Sequence, residues 1–214
     1  MFRTILIGMI FVASASLAAA QTDDYKKFEF FAGFSHNRID TGVGDNDPEL
    51  SDIFREREGF NGFDTSVTGN LSRYFGLKAD FSGHFKKHTV PFGSSTTASV
   101  DIDSQLYNFL GGIQIKDNSS ESRFKPFVHA LAGVARARNR VDFSNDVCIA
   151  VVPSPCPGDF TDTETGFAAA LGGGLDIRAS SKIDVRVIQF DYNPTRLFDS
   201  TQHNFRFGVG IVFH

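Results

Sequence analysis

Ser82 with His84 and Ser200 with His203 are the places where the sequence comes nearest to nucleophilic chemistry. A serine nucleophile needs a base within hydrogen-bond reach and an acidic group to orient that base. Neither pair stands in a motif that supplies all three, and a histidine beside a serine is commonplace on a polar rim, so no enzymatic activity is expected. His36, His88 and His129 are scattered without the spacing of metal ligands. The Gly-Gly-Gly run at 172–174 lies in an extended pattern and opens no helix, so it is not a phosphate loop. No metal or other cofactor is expected. Cys148 and Cys156 flank a stretch containing Pro153 and Pro155. They lack a C-x-x-C spacing and a neighbouring histidine, which favours a local disulfide over a metal or redox pair in an exported chain.

The remaining ionised residues recur at a spacing of two. Glu29, Asp64, Lys78, Asp80, Lys86, Glu164, Asp176, Asp184, Arg186, Asp191 and Arg206 stand opposite large apolar neighbours, as one face of an extended strand requires. The pattern is plainest in Thr201 to His214. Phe205, Phe207, Val209, Ile211 and Phe213 share one face, and Asn204, Arg206, Gly208, Gly210 and Val212 the other. Glycine and charge on one side suit a confined interior. Phenylalanine on the other suits an apolar solvent outside. Charges enclosed in a narrow interior must pair with one another, so the eleven residues are expected to form a lumen network.

Seven further segments repeat the alternation. The first is Lys26 to Arg38, with Phe28, Phe30, Ala32 and Phe34 opposite Glu29, Phe31, Gly33 and Ser35. Phe60 to Ser72 and Leu77 to Lys86 form a hairpin through Arg73 to Gly76. Val100 to Ile115 is the fourth strand, with Asp101 and Asp103 on its outer face, and Phe124 to Val141 the fifth. The pattern does not decide the facing of the fifth, because Phe127 and Leu131 fall on the side of His129. The sixth runs through Phe167 and Ile177. The seventh, from Ile183, breaks phase at Ile188, where a β-bulge would restore it and place Gln189 and Asp191 inside. Stretches 39–59, 88–98, 142–162 and 193–200 are expected as loops, and 73–76, 116–123 and 179–182 as short turns. The first segment reaches the roughly 9–11 residues a tilted barrel strand needs, and eight strands with alternating long and short connections are what a single-chain outer-membrane barrel requires. Pairing the last strand with the first removes the open edges.

Composition is consistent with that architecture. The 214 residues carry a formal net charge of −4, which gives no general attraction for nucleic acid or anionic lipid. With 24 Phe, 4 Tyr and no Trp, any interfacial aromatic belt must be built from Phe and Tyr. Mean hydropathy resembles that of a soluble protein, as it does in a barrel whose two faces cancel. Residues 1–20 read as a cleavable secretory signal, with Arg3, an apolar run from Ile5 to Val12 and Ala18-Ala19-Ala20 before Gln21. Residues 21–214 are then a single all-β domain.

P-F-V-H-A-L-A-G-V-A at 126–135, D-Y-N-P-T-R at 191–196 and F-R-F-G-V-G-I-V-F at 205–213 resemble the small OmpA-type outer-membrane β-barrel ("porin family") proteins, along the whole mature chain. The resemblance implies an eight-stranded antiparallel up-and-down transmembrane β-barrel in the bacterial outer membrane. It also implies that the barrel assembly machinery reads the terminal strand through Phe205, Phe207, Val209, Gly210, Ile211 and Phe213. The expected function is structural or adhesive, with a plugged lumen and long extracellular loops that could meet an extracellular ligand. The expected partners are outer-membrane lipid and that machinery, for a monomer with no nucleic-acid role. A small-solute porin, a lipid A-modifying enzyme and a soluble lipocalin-like binder remain as alternatives. The last would place its large apolar residues in the lumen and its charges outside.

Overall fold

The computed structural model describes residues 25–40, 57–91, 99–119, 122–143 and 160–214. The expected signal segment and the Cys148–Cys156 pair lie outside them. The alternating stretches form β1 (Phe28–Asp40), β2 (Arg57–Asn70), β3 (Phe75–Pro91), β4 (Ser99–Lys116), β5 (Phe124–Phe143), β6 (Phe160–Arg178), β7 (Ile183–Leu197) and β8 (Ser200–Phe213). Each pairs antiparallel with the next, and β8 closes on β1 from Phe30↔Phe213 to Arg38↔Phe205. Closure pairs the last two edges, which no chain can leave open in hydrocarbon.

Period-two alternation sets the facing throughout. Phe30, Phe34, Val67, Leu77, Phe109, Ile113, Val128, Val134, Phe167, Leu171, Phe207, Val209 and Ile211 are exposed on the outer surface. Polar residues such as Asp64, Asp80 and Arg206 are buried within. In β5 the side of Phe127, His129 and Leu131 is the inner one, and Val128 and Val134 point out. The phase break in β7 is a bulge. Register against β8 shifts between Arg186 and Gln189, so Val187 and Ile188 both face outward and Gln189 and Asp191 inward.

Two expectations need correction. The strands run past their expected ends into the stretches expected as loops, reaching 20 residues in β5 and 19 in β6. Backbone pairing does not stop where the apolar face does, so several ladders continue beyond the hydrocarbon. The segment 193–200 is not a loop either. β7 and β8 continue to a two-residue turn at Phe198 and Asp199, whose φ angles of 53° and 56° match a type I′ hairpin. Pro194, which lacks an N–H, falls where the β6–β7 ladder is interrupted. Asn193 offsets the gap by donating its side-chain amide to the Ala169 carbonyl at 2.7 Å.

At the seam, Gly33 lies opposite Gly210. A Cβ on Gly33 would come within 2.2 Å of the Val209 carbonyl and 2.7 Å of the Phe31 ring. On outward Gly111 the nearest atom would be 3.9 Å away. Gly33→Val is therefore expected to abolish or strongly weaken the compact, heat-modifiable species in gels, while Gly111→Val folds like wild type. Equal folding of the two would contradict the close approach at the seam.

Candidate functional site: a charged lumen below an apolar cup

Near the short turns, inward positions bring Glu29, Lys116, Lys125, Asp176, Asp184, Arg186 and His214 together. Lys116 Nζ lies 2.9 Å from Glu29 and 2.8 Å from Asp176. Lys125 Nζ lies 2.8 Å from Asp184, whose same oxygen is 2.8 Å from His214 Nε2. Arg186 makes a two-pronged contact with Asp176, at 2.8 and 3.1 Å, and donates to Gln189 at 2.7 Å. Its guanidinium lies between two rings, 4.2 Å from the centroid of Phe31 and 4.1 Å from that of Phe127, a desolvated cation–π arrangement. Glycines make room for these rings. A Cβ on Gly174 would meet Phe127 at 2.8 Å, and one on Gly210 would meet Phe31 at the same distance.

One layer higher the centre is Arg206, fully buried. It reaches Asp191 at 2.7 Å, Asp80 at 2.9 Å and, more loosely, Asp64 at 3.8 Å. It also donates to Ser82 Oγ at 3.0 Å. Gln189 donates to Asp64 at 3.1 Å and to Asp191 at 2.7 Å. His129 Nε2 lies 2.8 Å from Asp191 and its Nδ1 3.3 Å from Lys78 Nζ. Neutral imidazole satisfies both neighbours by donating from Nε2 and accepting at Nδ1. Lys78 Nζ is 3.7 Å from Asp80. Among the described residues, six buried carboxylates thus face five buried lysines and arginines.

Nine of the eleven ionised residues expected in the lumen lie in this buried set; Lys86 and Glu164 do not. Lys86 stands at the mouth, paired loosely with Glu58 at 3.8 Å. Glu164 is half-buried beside Ala137, its cross-strand neighbour. Sequence reasoning did not name Lys116, Lys125 or His214 as lumen residues, and it left the facing of His129 open. Lys116 keeps the parity of Gln114, so continuing the period of two into the expected turn would have found it, whereas Lys125 shares the parity of Phe127 and His129, which the pattern left open. Ser82 and His84 are deep in the lumen, with His84 Nε2 2.8 Å from Ser35 Oγ. His203 Nδ1 meets the Tyr192 hydroxyl.

Above the charged layers the interior turns apolar, which the expectation of a small and polar lumen did not include. Ile39, Phe60, Leu106, Leu110, Leu131, Ala135, Ala137, Ala168, Ala170 and Leu197 form one cluster. Over it opens a cavity of about 410 Å³ with Glu58, Lys86, Ser104 and Asn139 among its walls. At the opposite end, the turn after β4 is held by Arg73, which donates to both Asp117 oxygens at 3.0 and 3.4 Å. These bonds, joined by Ser119 and Ser122, keep the Asp117 carboxyl well below its ordinary range.

A closed antiparallel barrel with rings outside and paired charges within is an integral outer-membrane β-barrel. The match to the outer membrane protein beta-barrel domain covers residues 9–213, and the chain belongs to that family. It resides in the bacterial outer membrane. Among solved structures it is similar to Ail, the attachment invasion locus protein of Yersinia pestis, alone (TM-score 0.53, 14% identity) and in complex with the heparin analogue sucrose octasulfate (TM-score 0.55, 15% identity). Both comparisons cover 87% of this chain and 97% of the other. It is also similar to Neisserial surface protein A (TM-score 0.53, 11% identity, covering 88% and 97%). At these identities the likeness speaks for the fold. No curated protein matches the chain in sequence.

Removing Arg206 would leave Asp64, Asp80 and Asp191 facing one another without their shared cation. Arg206→Met is expected to cost about 3–5 kcal/mol in urea unfolding from lipid vesicles, the usual penalty for breaking a buried pair. Lys86→Met, at the solvated mouth, should cost under about 1 kcal/mol. Equal, small effects would mean that Arg206 is not the central counter-charge.

Proposed function

We propose that this protein is a non-conducting outer-membrane barrel with a structural or adhesive role, acting at the cell surface through the connections spanning residues 41–56 and 144–159. The observation that carries this reading is the unbroken set of contacts from Lys116 and Arg186 through Gln189 to Arg206 and Lys78 across the lumen. An eight-stranded barrel is barely wide enough for its own side chains, so these pairs act as a plug. The apolar cup ends blindly on it. Short turns face the periplasm in such barrels and longer connections face outside, which puts the cup and both connections at the surface. A small-solute porin is the second reading, favoured by the 410 Å³ cavity alone. No catalytic step belongs to either.

The barrel functions as a monomer, and the Cys148–Cys156 disulfide staples the third long connection. Because the Ail structure holds a heparin analogue, a sulfated saccharide is a sensible first ligand for binding assays with chains lacking 42–55 or 145–158. During biogenesis the assembly machinery reads the outward row from Phe205 to Phe213. Gly210 keeps the seam close, and His214 locks the finished strand end to Asp184.

In planar bilayers, folded monomer is expected to give no steady current above membrane leak. Sustained open-channel conductance would favour the porin reading. With reconstituted assembly machinery, Phe213→Ser should slow insertion. His214→Ala should insert at the wild-type rate yet unfold more readily. The reverse pattern would remove the division of labour between the two residues.

A further inference from the structure

The outer face of β5 changes character abruptly. Phe124, Pro126, Val128, Ala130, Ala132 and Val134 point outward, followed by Arg136, Arg138 and Arg140 at the next three outward positions. Ten residues of a strand tilted by about 40° rise about 25 Å, the height of the lipid-facing band in such barrels. Arg136 therefore leaves the hydrocarbon where headgroups begin, at the end with the longer connections. A lipid-facing arginine is costly at the bilayer midplane and nearly free at the interface.

The neighbours of these arginines suit an anion. Across β6 they face Thr165, Thr163 and Thr161 in order, and across β4 Tyr107, Gln105 and Asp103. Arg140 is committed to Asp142 at 2.7 Å, with Asp103 opposite. Lys87, one strand further, lies 3.9 Å from Asp101. Among the described residues, Arg136 and Arg138 are exposed and take part in no ion pair. Two forked guanidinium groups beside two threonine hydroxyls, on a rigid sheet, provide parallel donors for phosphate oxygens. The net charge of −4 conceals this local patch.

We infer that Arg136 and Arg138, with Thr163 and Thr165, bind a phosphate group of lipid A in the outer leaflet. The acyl chains of the same molecule would lie against Val134, Phe167 and Phe109, which border the arginines on the apolar side. This site is on the outer wall and stands apart from the plugged lumen and the surface connections.

The test is native mass spectrometry of the full chain released from micelles containing bis-phosphorylated lipid A, the same lipid stripped of its phosphates, or phosphatidylglycerol. Micelles remove any dependence on the direction of insertion. Wild type is expected to retain bis-phosphorylated lipid A about tenfold over the other two, as charge-assisted hydrogen bonds imply. R136Q/R138Q should lose that preference, and R123Q, at the short-turn end, should keep it. Folding of each variant is read by heat-modifiable migration. Should the double variant not fold, guanidinium 15N resonances of wild-type Arg136 and Arg138 supply the answer, moving with the phosphorylated lipid and not with the stripped one. Equal retention of stripped lipid A, a preference that survives R136Q/R138Q, or unmoved guanidinium resonances would overturn the inference.

Discussion

The structure depends on a shortage of interior space. Eight strands enclose a cylinder that side chains nearly fill, so a charge placed inside has little water to solvate it and must find its counter-charge in protein. The chain meets that requirement with carboxylates and cations drawn from different strands. Arg206 of β8 reaches acids on β2, β3 and β7, and Lys116 of β4 reaches acids on β1 and β6. Each of the two therefore also ties together strands that are not neighbours in the sheet. Such pairs do not by themselves make a protein more stable than apolar packing would. They do make the closed, correctly registered barrel the arrangement in which no charge is stranded.

The same shortage accounts for where the glycines fall. Phe31 and Phe127 face inward and hold Arg186 between them. The volume of these rings is accommodated by the missing side chains of Gly33, Gly174 and Gly210. Outside, where lipid is an unlimited apolar partner, rings can be large without competing for interior space, as in the stacked pair of Phe81 and Phe109 at 4.6 Å. Interior and exterior thus follow opposite rules along one strand, and the alternation of β8 is the most compact record of both.

Much of this was legible in the sequence, because a period of two with glycine and charge on one face and large rings on the other fits little besides a closed barrel in lipid. The strand count, the closing pair, the bulge after Arg186 and most of the buried charges follow from parity alone. What parity could not supply was the depth at which each strand ends. Lys116 was lost to an expected polar turn, although its ammonium is fully enclosed. Asn193-Pro194 read as loop because proline cannot complete a ladder, whereas the asparagine side chain completes it instead. The apolar cup escaped notice because Leu106, Leu131 and Leu197 look in sequence like any lipid-facing leucine. Only neighbouring strands reveal that they face one another.

Which way the side chains point decides between lipid and water as the surrounding solvent, and β8 carries its own internal comparison. Val209 and Ile211 point outward while Val212, with no exposed surface, points inward. Solid-state NMR of the methyl-labelled protein in bilayers, measuring magnetisation transfer from lipid acyl protons, reads all three at once. Rapid transfer to Val209 and Ile211 and little to Val212 is expected of a barrel with its rings in lipid. Transfer to Val212 that equals or exceeds transfer to Ile211 would contradict that orientation.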